Sequence, residues 1–263
     1  MTTLDLHIEG IGLWSPRLGD FAALRSLLAG GTPAAAAAPV AALLPANERR
    51  RAPESVRLAV EVAGQALAMG GRDPTALACV FASAYGDQSI TDAICTTLAR
   101  APTELSPTRF HHSVHNAAAG YWTIATGCRA PSSAVCAGAH TFGAALLEAA
   151  TQALAEQRPV LLACSDIASR GPLTEMTRCE HPFGCALLLT PAAGANALTQ
   201  LRLRMADGRA APTPAPAALA SEAAGNPSAA ALPLLALLAA RGGECRIGGA
   251  GARDLLATVG PAA

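Results

Sequence analysis

Lysine is absent from the sequence, so all 19 cationic side chains are arginines, and 19 acidic residues balance them. Without lysine the chain cannot contain a GxxxxGK phosphate-binding loop. The only basic run is Arg49-Arg50-Arg51, which is typical of a solvated helix surface. Because a neutral chain without a basic stripe does not attract a phosphate backbone, we expect no nucleic-acid binding.

Long apolar runs, a leader and paired cysteines are also missing. No apolar stretch approaches the roughly 20 residues of a membrane span, and residues 1–5 lack the basic start of a secretory leader. The eight cysteines are scattered and form no CxxC pair, which argues against a zinc ribbon. The sequence therefore predicts a cytoplasmic protein with reduced thiols, no metal, no cofactor and no membrane span.

Charged residues are sparse at 14%, whereas hydrophobic residues make up 51% of the chain. Such a composition predicts a surface that is partly apolar, as is found where a partner covers it. Aromatic residues are only 3%, yet Phe110, Tyr121 and Trp122 fall within thirteen positions of one another. That cluster is either ordinary core packing or the lining of a binding channel.

Strands alternate with helices along the chain, which predicts a layered α/β fold. Residues 4–8 alternate as a first strand that ends in a tight turn at Gly10-Ile11-Gly12. Residues 54–69 form an amphipathic helix, and a long helix runs from about Gly138 to Gln157. We divide the chain into a main domain over residues 1–205 and an Ala/Pro-rich linker or loop over 206–227. A short helix with strands over 228–263 completes the same domain.

Three segments, taken in order, resemble the β-ketoacyl synthase family. They are similar to that family's opening strand and turn, to its Asn-containing helix, and to the elbow that carries its nucleophile. The segments are residues 8–16, 116–127 and 134–143. The resemblance implies a thiolase-like fold whose first half is complete and whose second half is truncated.

Residues 44–51 and 110–116 resemble, more narrowly, the ketosynthase-like chain-length factors of aryl-polyene gene clusters. That resemblance implies a bacterial type II polyketide or fatty-acid-like system. In such a system a ketosynthase and a chain-length factor form a heterodimer, which an acyl carrier protein serves transiently.

Two departures from the family pattern bear on catalysis. When Gly138-Ala139-His140 is aligned with the family, the nucleophile position falls on Val135, and Cys136 lies one residue late on an elbow that holds its nucleophile at a single point. The family also takes two histidines from its second half to drive decarboxylation and hold the enolate oxygen. No histidine follows His181 here. The resemblance therefore implies a subunit that cannot condense acyl groups alone.

Cys136 nevertheless has a reactive interpretation. At the start of a helix its thiol pKa would fall, and His140, four residues on, would share its helix face as a Cys–His pair. The alternative is a small buried thiol in a core pocket, with His140 as an ordinary helix histidine.

A second candidate is the polar cluster of His111, His112, His115 and Asn116. Three imidazoles could hold a metal, but their spacing is irregular and we favour a role in the dimer interface or an acyl tunnel. The resemblance places the strand before the nucleophile at the same interface. The predicted tunnel and interface residues are Phe110, His111, His115, Asn116, Tyr121, Trp122, Pro131, Ser132, Ser133 and Ala134.

These observations predict a non-catalytic, chain-length-factor-like subunit that pairs with an active ketosynthase and shapes its acyl tunnel. The rival hypothesis is an enzyme, namely a Cys136-dependent acyltransferase or malonyl decarboxylase. A third is a homodimeric acyl-binding module without chemistry.

Overall fold

The computed structural model describes residues 3–261, which form one eight-stranded mixed sheet with helices on both faces. The strand order is β3-β2-β4-β5-β1-β6-β8-β7. The strands are β1 (Thr3–Trp14), β2 (Ala78–Ala82), β3 (Ser132–Val135), β4 (Val160–Asp166), β5 (Phe183–Thr190), β6 (Thr199–Met205), β7 (Gly243–Ile247) and β8 (Leu255–Pro261). The helices are α1 (Phe21–Leu28), α2 (Ala46–Arg51), α3 (Glu54–Gly70), α4 (Gln88–Arg100), α5 (Pro107–Ser113), α6 (Ala117–Thr126), α7 (Thr141–Glu156), α8 (Thr174–Thr177), α9 (Ala220–Ala223) and α10 (Leu232–Ala240).

Two apolar cores lie on opposite faces of the sheet. One contains buried residues of α1, α7 and α10, and the other contains buried residues of α3 and α6. β2 is parallel to both β3 and β4, whereas every other pairing is antiparallel. Because β2, β4 and β5 are covered on both faces of the sheet, neither of their faces contacts solvent, which explains their continuously apolar sequences.

The first strand is longer than the sequence predicted. β1 continues through Gly10 and Gly12 to Trp14, so the predicted turn at these glycines is wrong. A Cβ on Gly12 would collide with the carbonyl oxygen of Val62, and one on Gly10 with that of Ala66. The two glycines therefore let α3 pack directly on the strand backbone.

This close approach predicts a cost for the smallest possible side chain. We expect Gly12→Ala to lower the free energy of unfolding by about 1–3 kcal/mol, because α3 must move away from β1. Urea denaturation measures the loss. Gly120→Ala is the matched control, since its added Cβ would meet no described atom within 4 Å beyond its chain neighbours and its own helix backbone. Its stability should equal or slightly exceed that of the unsubstituted chain.

Residues 206–227 contain only short helical turns, yet they pack against the rest of the molecule. Leu219 is fully buried, and buried Glu222 forms an ion pair with Arg17 at 3.2 Å. The Thr213 N–H donates to the Arg246 carbonyl at 3.0 Å, which covers part of the outer edge of β7. The segment thus lies along the sheet as a packed loop, and β7 and β8 beyond it belong to the same sheet as β1.

None of the helices between Thr3 and Pro261 combines the length and the apolar character that a membrane crossing requires.

Candidate functional site

The parallel strands β3, β2 and β4 end at one edge of the sheet, and a polar residue lies at or directly after the end of each. Cys136 follows β3, Ser83 and Ala84 follow β2, and Asp166 is the last residue of β4. Ligands of α/β sheets bind outside the carboxyl ends of such strands. This edge is therefore the candidate site.

Asp166 connects the segments at this edge. Its Oδ1 accepts hydrogen bonds from the Ser83 hydroxyl at 2.7 Å and the Ala84 N–H at 2.8 Å, and its Oδ2 accepts from the Ser228 hydroxyl at 2.6 Å. The Asn226 amide donates to the Asp166 carbonyl at 2.9 Å. Sequence reasoning did not identify this junction. The one sign of it in the sequence is Asp166, an acidic residue at the end of an apolar run.

Cys136 is exposed, so the interpretation as a thiol in a core pocket is wrong. Its thiol donates to the Ala84 carbonyl at 3.1 Å. The helix predicted from Gly138 begins only at Thr141, after a single 3-10 turn over Gly138–His140. Two features account for the delay: Gly138 has a φ of +54°, and the Thr141 hydroxyl accepts from the Ala137 N–H at 2.9 Å. Cys136 therefore lacks the helix N-terminus on which its reactive interpretation depended, and it shares no helix face with His140.

His140 is bonded to a different partner. Its Nε2 lies 2.8 Å from Nη2 of Arg209. Because arginine is always a donor, Nε2 is the acceptor and the proton of the neutral ring is on Nδ1. Arg209 in turn lies 3.8 Å from buried Asp254. His140 thus belongs to an arginine–aspartate cluster.

The remaining cysteines are mostly structural. Burial raises the pKa of Cys79 to about 12 and that of Cys179 to about 12, and it raises the pKa of Cys164 well above its usual value. Such thiols stay protonated near neutral pH and are poor nucleophiles.

The histidine cluster does not converge on one point. His112 Nε2 lies 2.8 Å from the Tyr121 hydroxyl, and His115 Nε2 lies 2.8 Å from the Ser83 carbonyl. Burial, with a smaller contribution from His111, lowers the pKa of His112. Within residues 3–261 no three histidine, cysteine or acidic side chains are grouped so that they could hold a metal ion.

The three clustered aromatic residues have different environments. Trp122 is fully buried and packs against Phe81 with ring centroids 5.9 Å apart, so it is core. Phe110 is 59% exposed. Tyr121 lines a surface pocket of about 190 Å³. Its other lining residues are Glu48, His111, Val114, Asn116, Ala117, Gly120, Ile124 and Ala125.

β3 is an unprotected edge strand. It pairs with β2 on one side, and Ser132 and Ala134 are exposed. The strand and Pro131 before it carry no charge, although charged residues are a usual protection of sheet edges. Exposed apolar side chains are also found on the helices next to it in sequence, with Leu98 on α4, Phe110 on α5 and Ile124 on α6.

Comparison with known proteins identifies the family. The family model of the β-ketoacyl synthase N-terminal domain matches residues 26–249. The chain therefore belongs to the β-ketoacyl synthase family, as its sequence motifs predicted. No curated protein sequence matches it.

Solved structures confirm the thiolase-like layered fold. A chain in the ketosynthase ApeO in complex with its chain length factor ApeC, from Xenorhabdus doucetiae, is 24% identical with a TM-score of 0.72, over 97% of this chain and 99% of that one. A chain of the ishigamide ketosynthase/chain length factor is 16% identical with a TM-score of 0.71, over 99% and 100%. A chain of the AntDE:AntF complex, a type II acyl carrier protein with its ketosynthase, is 15% identical with a TM-score of 0.60. The match covers 78% of this chain and 70% of that one.

Proposed function

We propose that this chain is a non-catalytic, chain-length-factor-like subunit. It pairs with an active β-ketoacyl synthase in the cytoplasm and shapes that enzyme's acyl tunnel, in aryl-polyene or related type II polyketide or fatty-acid-like biosynthesis. An acyl carrier protein delivers the growing acyl group to the heterodimer.

The observation that carries the proposal is the exposed, uncharged β3 edge. Within residues 3–261 only β2 pairs with β3, so the outer backbone N–H and C=O groups of β3 can pair with a strand of another chain. The exposed apolar side chains of α4, α5 and α6 enlarge the surface to be covered. Two of the structures that this fold resembles are complexes of a ketosynthase with a chain length factor.

The surroundings of Cys136 support a subunit without its own condensing chemistry. The thiol is bonded to a backbone carbonyl, and the nearest histidine in sequence, His140, is bonded to Arg209. A condensing nucleophile needs a group that activates it and donors that hold the enolate oxygen. In residues 3–261 the hydrogen bonds join Cys136 to no histidine.

Substitution of Cys136 tests the proposal directly. We expect Cys136→Ala, reconstituted with the partner ketosynthase and carrier protein, to make polyene at a rate within about twofold of the unsubstituted subunit, because the thiol has no step to perform. Product formation is measured by absorbance and mass spectrometry. Cys95→Ala, at the other exposed cysteine, is the matched control.

Loss of turnover in Cys136→Ala with an intact heterodimer would establish the rival function, a Cys136-dependent acyltransferase or decarboxylase. A stable homodimer that ignores the ketosynthase would instead favour an acyl-binding module. Mass measurement of the co-expressed pair distinguishes these outcomes.

A further inference from the structure

A cleft of about 450 Å³ opens at the carboxyl edge of the sheet. Its size is within the range of small-molecule sites. Tyr85 follows β2 into it, Ala139 and His140 follow β3, and residues 212–215 and 223–230 form its other walls. Of the 17 lining residues Thr177, Thr213 and Asn226 are polar, whereas eight are alanine or proline and make the interior largely apolar. They include Pro212, Ala215, Ala223, Pro227, Ala229, Ala230 and Pro233.

One end of the cleft is cationic. Arg246 and His140 both line it, and Arg209 lies behind His140. The only carboxylate bonded to these groups in residues 3–261 is Asp254, which lies 3.3 Å from Nη1 of Arg246 and 3.8 Å from Nε of Arg209. Two arginines thus face one aspartate, which leaves a net charge of +1.

Asp254 is also held by backbone groups. Its carboxylate accepts from the Ala210 N–H at 2.9 Å and from the Gly249 N–H at 3.2 Å. These bonds, with the arginines, keep the pKa of Asp254 below its usual value. The carboxylate therefore stays ionised and anchors both arginines, while part of its charge is taken up by the backbone.

Donors remain for a ligand. Within residues 3–261 the Arg246 guanidinium makes one hydrogen bond, through Nη1, so most of its five N–H donors are unused. His140 carries its proton on Nδ1, since Nε2 accepts from Arg209. Gly248 makes room for the ring, because a Cβ there would come within 2.8 Å of Nδ1.

We propose that this cleft binds a carboxylate at the end of a hydrocarbon chain, with Arg246 and His140 holding the carboxylate and the alanine and proline walls holding the chain. This ligand site goes beyond a scaffolding role and does not depend on it. The carboxylate is either that of a free acid or the far end of an acyl chain held as a thioester.

Calorimetry on the full chain, alone or with its ketosynthase, tests the proposal with octanoate and its neutral analogue octanamide. Octanoate should bind at least about tenfold more tightly, because a charge-assisted hydrogen bond is worth about that factor. Arg246→Gln should remove this preference, whereas Arg202→Gln, at an exposed residue of β6 outside the cleft, should keep it. Suberoyl-pantetheine binding more tightly than octanoate assigns the carboxylate to a thioester-held chain, and the reverse order assigns it to a free acid.

Ala230→Phe provides an independent test, because Ala230 is exposed in the cleft and takes no part in the charge cluster. We expect it to abolish binding of both probes at an unchanged Tm. Equal affinity for octanoate and octanamide, no binding of either, or octanoate binding that survives Ala230→Phe overturns the proposal. Heterodimer formation, measured on the same variants by mass, reports on the proposed function separately.

Discussion

Under the proposed function, Ala134→Lys should prevent pairing with a ketosynthase while leaving the fold of this chain intact. Ala134 is exposed at the centre of β3, and within residues 3–261 its strand pairs only with β2, where Phe81 lies opposite Ala134. A lysine there would be carried into the proposed interface, where an unpaired buried charge costs several kcal/mol. We expect the dissociation constant of the heterodimer to rise about 100-fold or more, as measured by size-exclusion chromatography with mass detection or by calorimetry.

The control for this prediction places the same charge elsewhere. Ala195 is exposed in the connection between β5 and β6, which is distant from β3 in the strand order. Ala195→Lys should therefore pair normally, and both variants should have the Tm of the unsubstituted chain. Normal pairing of Ala134→Lys would show that β3 is not part of the interface.

The spacing of apolar residues predicted most of the secondary structure, because most helices and strands bury the faces on which their apolar residues lie. The helix expected over residues 54–69 is found as Glu54–Gly70, and it ends where Gly71 adopts a left-handed conformation with a φ of +63°. The error at Gly10 and Gly12 has a tertiary cause. Glycines that favour a turn locally are required inside a strand when a helix lies against its backbone.

The candidate site was less predictable, because its members are far apart in the sequence. Asp166, Ser83 and Ser228 meet only after β2, β4 and the segment before α10 have packed together. His140 illustrates the same point, since its partner Arg209 is 69 residues away. The local pattern at Cys136 and His140 allowed a pair as one of two interpretations, whereas tertiary contacts gave each residue a different partner.

Asp166→Ala should be the most destabilising single substitution at the site. The change leaves the Ser83 hydroxyl, the Ala84 N–H and the Ser228 hydroxyl without their acceptor. Each buried donor without a partner costs about 1–3 kcal/mol, and Asp166 itself is only 3% exposed, so water cannot easily replace it. We expect a loss of about 3–5 kcal/mol in the free energy of unfolding, measured by urea denaturation.

Asp5→Ala is the matched control, because it also removes a carboxylate that accepts a hydrogen bond, from Arg202 at 2.7 Å. Both partners of that pair are about half exposed, so the loss should be below about 1 kcal/mol. Asp166→Asn should give an intermediate loss, since its amide oxygen can still accept from Ser83 and Ala84 while its NH₂ cannot accept from Ser228. Equal stability of Asp166→Ala and Asp5→Ala would show that the junction does not hold the ends of β2 and β4 together. That result would indicate that water enters the site and accepts the hydrogen bonds of these donors.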